Sequence, residues 1–131
     1  MNTSHYPSLE LCKKLTDLGF PMNKLIYHIT NWWSLICNMD VYKLTNQKPP
    51  IGGVEYVCPS ISELLDEMPL SIQWCVLTIV RNIHDKDIYY QVSYEHINDG
   101  IIFLNILKET LPDALALIWI WLKENNYLTN I

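Results

Sequence analysis

Residues 111–128 read LPDALALIWIWLKENNYL, and this stretch decides the fold. Within it, nine consecutive apolar residues, 114–122, include two of the five tryptophans of the chain. A membrane-spanning helix needs roughly 18 to 20 apolar residues, so this shorter run must instead be buried by protein. The sequence therefore predicts a globular domain organised around its last helix.

The pattern within this closing helix makes a finer prediction. Thr110 offers a cap hydroxyl, with a proline in the first turn and an acid three residues after the cap. Because each residue turns by about 100°, most apolar side chains fall on an arc of roughly 200°, which predicts burial between a sheet and the first helix. Ala116 and Ile120 fall in the remaining polar sector. We expect these two residues to contribute to a partner-binding or self-association surface.

Two earlier helices have clear start signals. Ser8 is placed to cap residues 9–18, and Gly19 is a natural stop. Ser60 and a glutamate three residues later form a capping box that predicts a short helix through residue 67, ended by Pro69.

Strand signals separate these helices. Residues 24–30, 40–45, 54–57, 72–81, 88–94 and 101–106 are the predicted strands, from their β-branched and aromatic content. Residues 31–37 are ambiguous, whereas 47–53, 82–87 and 98–100 are predicted loops or turns. This order predicts an α+β fold, with an antiparallel sheet, about three helices on one side and the C-terminal helix central to the core.

Composition limits the function classes. A length of 131 residues, half of them hydrophobic, predicts one globular domain spanning 1–131. The formal net charge of −5, with Arg81 as the only arginine and Lys13-Lys14 as the only adjacent basic pair, disfavours direct nucleic-acid binding. Mimicry of nucleic acid would require several acids to converge on one face.

The four cysteines, Cys12, Cys37, Cys58 and Cys75, lack the short spacings of zinc or redox motifs. Buried thiols are the favoured interpretation, with a disulfide in an exported form as the alternative. The first residues carry neither a basic segment nor a continuous apolar segment, so a signal peptide is not predicted. We therefore expect a cytoplasmic protein.

One cysteine could be chemically active. Cys58 precedes the capped start of a helix, where a thiol pKa can fall and the thiolate become nucleophilic. Its base would be His28, His84 or His96, none of which has a diagnostic spacing. A packed thiol before a turn explains the same residue, so no catalytic role is predicted.

Two polar clusters are weaker candidates. His84, Asp85 and Asp87 offer metal ligands but equally suit a solvated hairpin loop. Glu63 and residues 66–67 could be paired acid-base carboxylates, but they equally suit the solvated face of a short helix. We therefore predict neither a metal site nor a cofactor.

Two pairs of adjacent aromatic residues are the remaining candidates for a binding site. Trp32-Trp33 lies near a predicted turn. Tyr89-Tyr90 is adjacent within a predicted strand, so one of the two tyrosines must face away from the core. Exposed aromatic residues serve well as binding anchors. Core packing is the alternative, and an aromatic pocket for a planar ligand such as a nucleotide would use the same residues.

Three blocks of the chain carry a resemblance. Residues 6–15 (YPSLELCKKL), residues 55–65 (EYVCPS followed by ELL), and residues 111–125 (LPDALA followed by WLKEN) resemble small uncharacterised proteins encoded by bacteriophages, prophages and other bacterial mobile elements. The blocks come in the same order and span nearly the whole chain, although residues 31–38 depart from the pattern. The resemblance implies a phage-type accessory protein without functional residues to carry over.

These observations favour a non-enzymatic protein that acts by protein–protein binding. Accessory proteins of this size often bind a host factor, so inhibition of a host defence system, for example as an anti-CRISPR protein, is our expectation. The partner would be a host protein or complex, and a homo-oligomer is compatible with the sequence. A small-ligand domain that binds or sequesters a nucleotide is the alternative, and a Cys58-dependent enzyme is a third.

Overall fold

A computed structural model describes residues 6–21, 32–36, 41–45 and 55–128. The predicted strand at 24–30 and loop at 47–53, together with Cys37 and His28, lie outside these residues. In chain order the elements are α1 (Leu9–Asp17), β1 (Trp32–Ile36), β2 (Val41–Thr45), β3 (Glu55–Val57), α2 (Ile61–Asp66), β4 (Ser71–Ile72), β5 (Cys75–His84), β6 (Asp87–His96), β7 (Ile102–Lys108) and α3 (Leu111–Glu124).

The strands form two antiparallel sheets. One has the order β2-β1-β3, and the other is a four-stranded meander with the order β4-β5-β6-β7. The predicted α+β fold is confirmed, with α3 packed against the four-stranded sheet. The ambiguous residues 32–36 are a strand that pairs on both sides.

Capping chemistry placed the first two helices correctly. The Ser8 side chain accepts from the Leu11 amide at the start of α1, and Gly19 after its end has a φ of +83°. At α2 both halves of the capping box are present, between Ser60 and Glu63. Each cap satisfies amides that the first helical turn leaves without a partner.

The predicted cap of α3 is wrong in its chemistry. The Thr110 side chain makes no capping hydrogen bond, and its Oγ1 is buried without a hydrogen-bond partner among the described residues. Asp113, in the first turn, instead accepts from the Ser8 amide through Oδ1 at 2.8 Å. This contact ties the start of α1 to the start of α3.

Asp113→Ala is expected to lower the free energy of unfolding by about 1 kcal/mol, because it removes a charged acceptor and an acid from the helix N-terminus. Urea denaturation followed by circular dichroism measures the change. Glu124→Ala is the matched control, since Glu124 is an exposed acid in the last turn of the same helix. An equal loss in both variants would contradict the role of the Ser8 contact.

α3 is central to the core, because it contacts α1, α2, β6 and β7. The prediction that Ala116 and Ile120 face away from the core is wrong: their exposed fractions are 0% and 5%. The less buried sector of α3 carries Asp113, Leu117 and Trp121 instead. Among the described helices, none combines the length and apolarity needed to cross a membrane.

The meander departs from prediction at both ends of β5. The predicted strand 72–81 is interrupted by a turn at Gln73 and Trp74, which separates β4 from β5. The predicted six-residue loop 82–87 is wrong, because β5 and β6 stay paired up to His84 and Asp87. At the β6–β7 register shift the bulge brings Phe103 against the rings of Trp121 and Tyr127 in edge contacts.

Candidate functional site

The turn between β4 and β5 has an unusual backbone. Ile72 pairs with Cys75, and the two residues between them, Gln73 and Trp74, have φ values of +49° and +68°. Positive φ at both central positions is the pattern of a type I′ turn, which normally takes Asn-Gly. Left-handed backbone costs about 1–2 kcal/mol for a residue with a Cβ. The chain therefore keeps a large aromatic residue where glycine would be more stable.

The side chain at this turn is exposed to solvent. Trp74 is 77% exposed, and its carbonyl accepts from the Ile97 amide at 3.0 Å. Ile97 and Ile101, in the β6–β7 turn, are 59% and 66% exposed, and the Ile101 carbonyl accepts from the His96 amide. Trp74, Ile97 and Ile101 are thus a set of three exposed apolar residues at the same end of the four-stranded sheet. We call it the apolar tip.

The electrostatic surroundings of the apolar tip are acidic. Asp99 lies between the two isoleucines, accepts from the Ile101 amide at 3.0 Å and lies 3.2 Å from Nδ1 of His96. Glu95 pairs with Val76, two residues beyond Trp74. Residues 70–77 and 94–104, which form this end of the sheet, contain no lysine or arginine. A partner that binds the tip therefore meets an apolar centre with a negative rim.

Tyr94 stabilises the segment that precedes β4 and the β4–β5 turn. Its side chain is fully buried, and its hydroxyl donates to the Pro69 carbonyl at 2.8 Å, just before β4. Burial disfavours the phenolate and raises the pKa of Tyr94 from 10.0 to about 12. The hydroxyl is therefore a donor at physiological pH, and it anchors the segment that leads to Trp74.

The two predicted tyrosines, Tyr89 and Tyr90, do not form one site. Tyr89 and Tyr90 are half-buried and point to opposite faces of β6. Tyr89 lines an open surface cavity of about 400 Å³ together with Leu107, Lys108, Glu109 and Asp113. Since two carboxylates line this cavity beside one lysine, the cavity does not favour a nucleotide phosphate.

Trp32 and Trp33 belong to the other sheet, in the central strand β1. Their side chains lie outside what the structure describes. Ala116 and Ile120 lie in the core cluster, so the orientation expected for a partner surface is not observed for either. The four predicted binding residues whose side chains the structure describes therefore do not share one surface.

Cys12 and Cys58 are fully buried, and Cys75 is 5% exposed. This agrees with the prediction of packed thiols at those positions. Of the candidate bases for Cys58, His84 has a side chain 79% exposed at the β5–β6 hairpin. A substrate could not reach the Cys58 thiol without local opening of the surrounding core.

One of the two polar clusters has a structural role, and the other lies on an exposed turn. Glu63 accepts from the Ser60 amide through Oε1 at 3.0 Å, so one carboxylate of the α2 group serves the cap. His84 and Asp85 lie 3.9 Å apart on an exposed turn. Within the described ranges, no three His, Cys, Asp or Glu side chains are grouped so that they could hold a metal ion.

Comparison of the chain with protein-family models, with curated proteins and with solved structures found no significant match. The apolar tip is therefore identified from geometry. Sequence reasoning missed it because Trp74 lies within a stretch that reads as one continuous strand. Neither Gln73 nor Trp74 is a residue type that signals a turn.

Proposed function

We propose that this protein acts by binding another protein through the apolar tip. The observation that carries the proposal is Trp74, 77% exposed on a backbone where a residue with a Cβ is strained. Tryptophan is the residue type most enriched among interface residues that dominate binding energy. Backbone strain at an exposed side chain is characteristic of functional positions. The two neighbouring isoleucines supply the apolar surface around this anchor.

The acidic rim narrows the chemistry of the partner. An apolar socket edged by lysine or arginine would match both the tip and its carboxylates. Anionic lipid headgroups and nucleic-acid phosphates would be repelled by the same carboxylates. A protein surface is therefore the occupant that best fits the tip.

Our proposal extends to the biological setting. The resemblance to bacteriophage and mobile-element proteins supports an accessory role in the cytoplasm of a bacterial host. Proteins of this kind often act on a host factor, and inhibition of a defence system is the effect we propose. This step depends on the resemblance, whereas the binding surface depends on the geometry of the tip.

Trp74→Gly separates binding from stability. We expect the variant to be more stable than the original protein by about 1 kcal/mol, because glycine adopts positive φ without a steric penalty. We expect it to lose at least about tenfold in binding to a host partner, because the anchor is removed. Urea denaturation measures the first effect, and quantitative pull-down from bacterial lysate measures the second.

Leu107→Ser is the matched control for capture. Leu107 is an exposed apolar residue on β7 at the opposite end of the same sheet, so its loss should leave capture intact. A stabilised Trp74→Gly protein that captures the same partner as strongly as the original would refute the apolar tip as the binding surface. Failure of the original protein to retain any stoichiometric partner would refute the proposed function.

A further inference from the structure

We propose that the outer edge of β5 accepts an extended strand from the partner, with an acidic residue placed between two apolar ones. This inference rests on the proposed protein-binding function and adds a second surface and a mode of recognition. The apolar tip would anchor the partner. The edge of β5 would bind an extended segment of the partner.

Among the described strands, none but β4 pairs with this edge of β5, and β4 covers only a small part of it. β4 pairs only with Cys75 and Val76, whereas β6 pairs with all of β5 up to His84. The Leu77 amide still donates to the Leu70 carbonyl at 3.0 Å, on the β4 side. Beyond it, the residues that the structure describes supply no further strand on this side of β5.

The alternation of an antiparallel ladder identifies the groups that point outward. Because Leu77 bonds towards β4, every second residue after it directs its N–H and C=O away from β6. These residues are Ile79, Arg81 and Ile83. Their amides and carbonyls form a regular row that matches the backbone of an added strand.

The other edge of the sheet is less suited to strand addition. β7 contains the register shift opposite Tyr94 and Glu95, and such bulges interrupt the regular spacing of outward groups. The pairing of β5 with β6 runs without a shift from Cys75 to His84. Of the two edges of this sheet, the part of β5 beyond β4 therefore offers the more regular template.

The side chains at the same three positions define the segment. Ile79 and Ile83 are 41% and 66% exposed, and Arg81 between them is exposed. Arg81 forms no ion pair with any described residue. A strand laid on this edge presents residues p, p+2 and p+4 to these side chains. The matching segment is therefore apolar, any residue, acidic, any residue, apolar.

A second copy of this chain fits the edge less well. Antiparallel pairing of two β5 strands about Arg81 would place the two guanidinium groups directly opposite each other, and like charges in that position are destabilising. A shift of the register by two residues would set Arg81 against an isoleucine instead. β5 contains no acidic residue that could pair with Arg81 in any register.

The test uses two synthetic peptides, Ser-Thr-Ile-Thr-Glu-Thr-Ile-Thr-Ser and the same peptide with lysine in place of glutamate, titrated into the isotopically labelled full chain. We expect shifts of the backbone amides of Ile79, Arg81 and Ile83 in NMR spectra. Binding of the glutamate peptide should be about five- to tenfold tighter than that of the lysine peptide. Arg81→Glu should reverse this preference.

Three outcomes would overturn the inference. They are the absence of amide shifts on β5 at millimolar peptide, equal affinity of the two peptides, and a free protein that is already a dimer with the β5 amides protected from hydrogen exchange. The last outcome would assign the edge to a second copy. Because the Trp74→Gly pull-down tests the apolar tip without these peptides, each surface can fail while the other stands.

Discussion

Ile120→Asp is expected to leave the protein unfolded in the absence of denaturant. Ile120 is 5% exposed and belongs to the core cluster of α3. Aspartate there would lose the packing of a full isoleucine side chain and bury an ionisable group in apolar surroundings. A large-to-small change in a core costs about 2–5 kcal/mol, and an unpaired buried charge adds several more.

The sum is comparable with the whole stability of a domain of this size, which is about 5–15 kcal/mol. Loss of the cooperative thermal transition in circular dichroism is the expected observation. Ile120→Val should keep the fold and lose only about 1 kcal/mol, since it removes a single methylene. The comparison distinguishes charge burial from a simple intolerance of substitution.

Ile83→Asp is the matched control for surface exposure. Ile83 is 66% exposed on β5, so aspartate there stays hydrated and should cost less than about 1 kcal/mol. If Ile120→Asp instead folded normally and changed only self-association, Ile120 would belong to a surface after all. That result would contradict the burial of this face of α3.

The closing helix shows how far pattern reasoning extends. Its apolar run correctly indicated a helix central to the core, because nine apolar residues can be stabilised only by burial. The angular count failed for Ala116 and Ile120. It assumed one solvent-facing sector, whereas α1, α2, β6 and β7 all pack against α3. Neighbours on several sides cannot be deduced from the periodicity of one helix.

Capping motifs predicted the start of a helix correctly where the groups that form the cap are close in sequence. The Ser8 and Ser60 caps were predictable because a hydroxyl and the following amides lie within one turn of chain. The Thr110 cap is not observed, and the acid of that motif, Asp113, accepts from the amide of Ser8, which is distant in sequence. Tertiary contacts here override a local motif.

The candidate site was the least predictable part of the chain. Turn prediction depends on glycine, asparagine or aspartate at positive φ, and the β4–β5 turn uses Gln73 and Trp74. A position that violates a local rule leaves no sequence signal that distinguishes it from a strand. Such violations are expected at functional sites, and this expectation supports the functional role proposed for Trp74.

Tyr94 is expected to lower the stability of the protein between about pH 10 and pH 12. In the unfolded chain its phenol titrates near 10.0, whereas in the folded protein burial raises the pKa of Tyr94 to about 12. Below pH 10 both states hold the proton, so the contribution of the buried phenol is fully present. Between the two values only the folded state keeps its proton, so stability falls as pH rises.

The size of this effect follows from the two pKa values. A difference of about two pH units corresponds to at most about 2.7 kcal/mol, all of it lost above pH 12. The stability of the original protein also contains the contributions of its other ionisable groups. Subtracting the pH profile of Tyr94→Phe removes their contributions, because both proteins share them.

Tyr94→Phe should change the sign of its effect with pH. At pH 8 the variant loses the hydrogen bond to the Pro69 carbonyl and should be less stable by about 1 kcal/mol. At pH 12 the original protein bears the cost of a buried phenolate, which phenylalanine cannot form, so the variant should be the more stable of the two. Urea denaturation at intervals between pH 8 and pH 12 would show the two curves crossing. Parallel curves would mean that the Tyr94 phenol ionises as easily in the folded protein as in the unfolded chain, and its burial beneath the β4 segment would then be wrong.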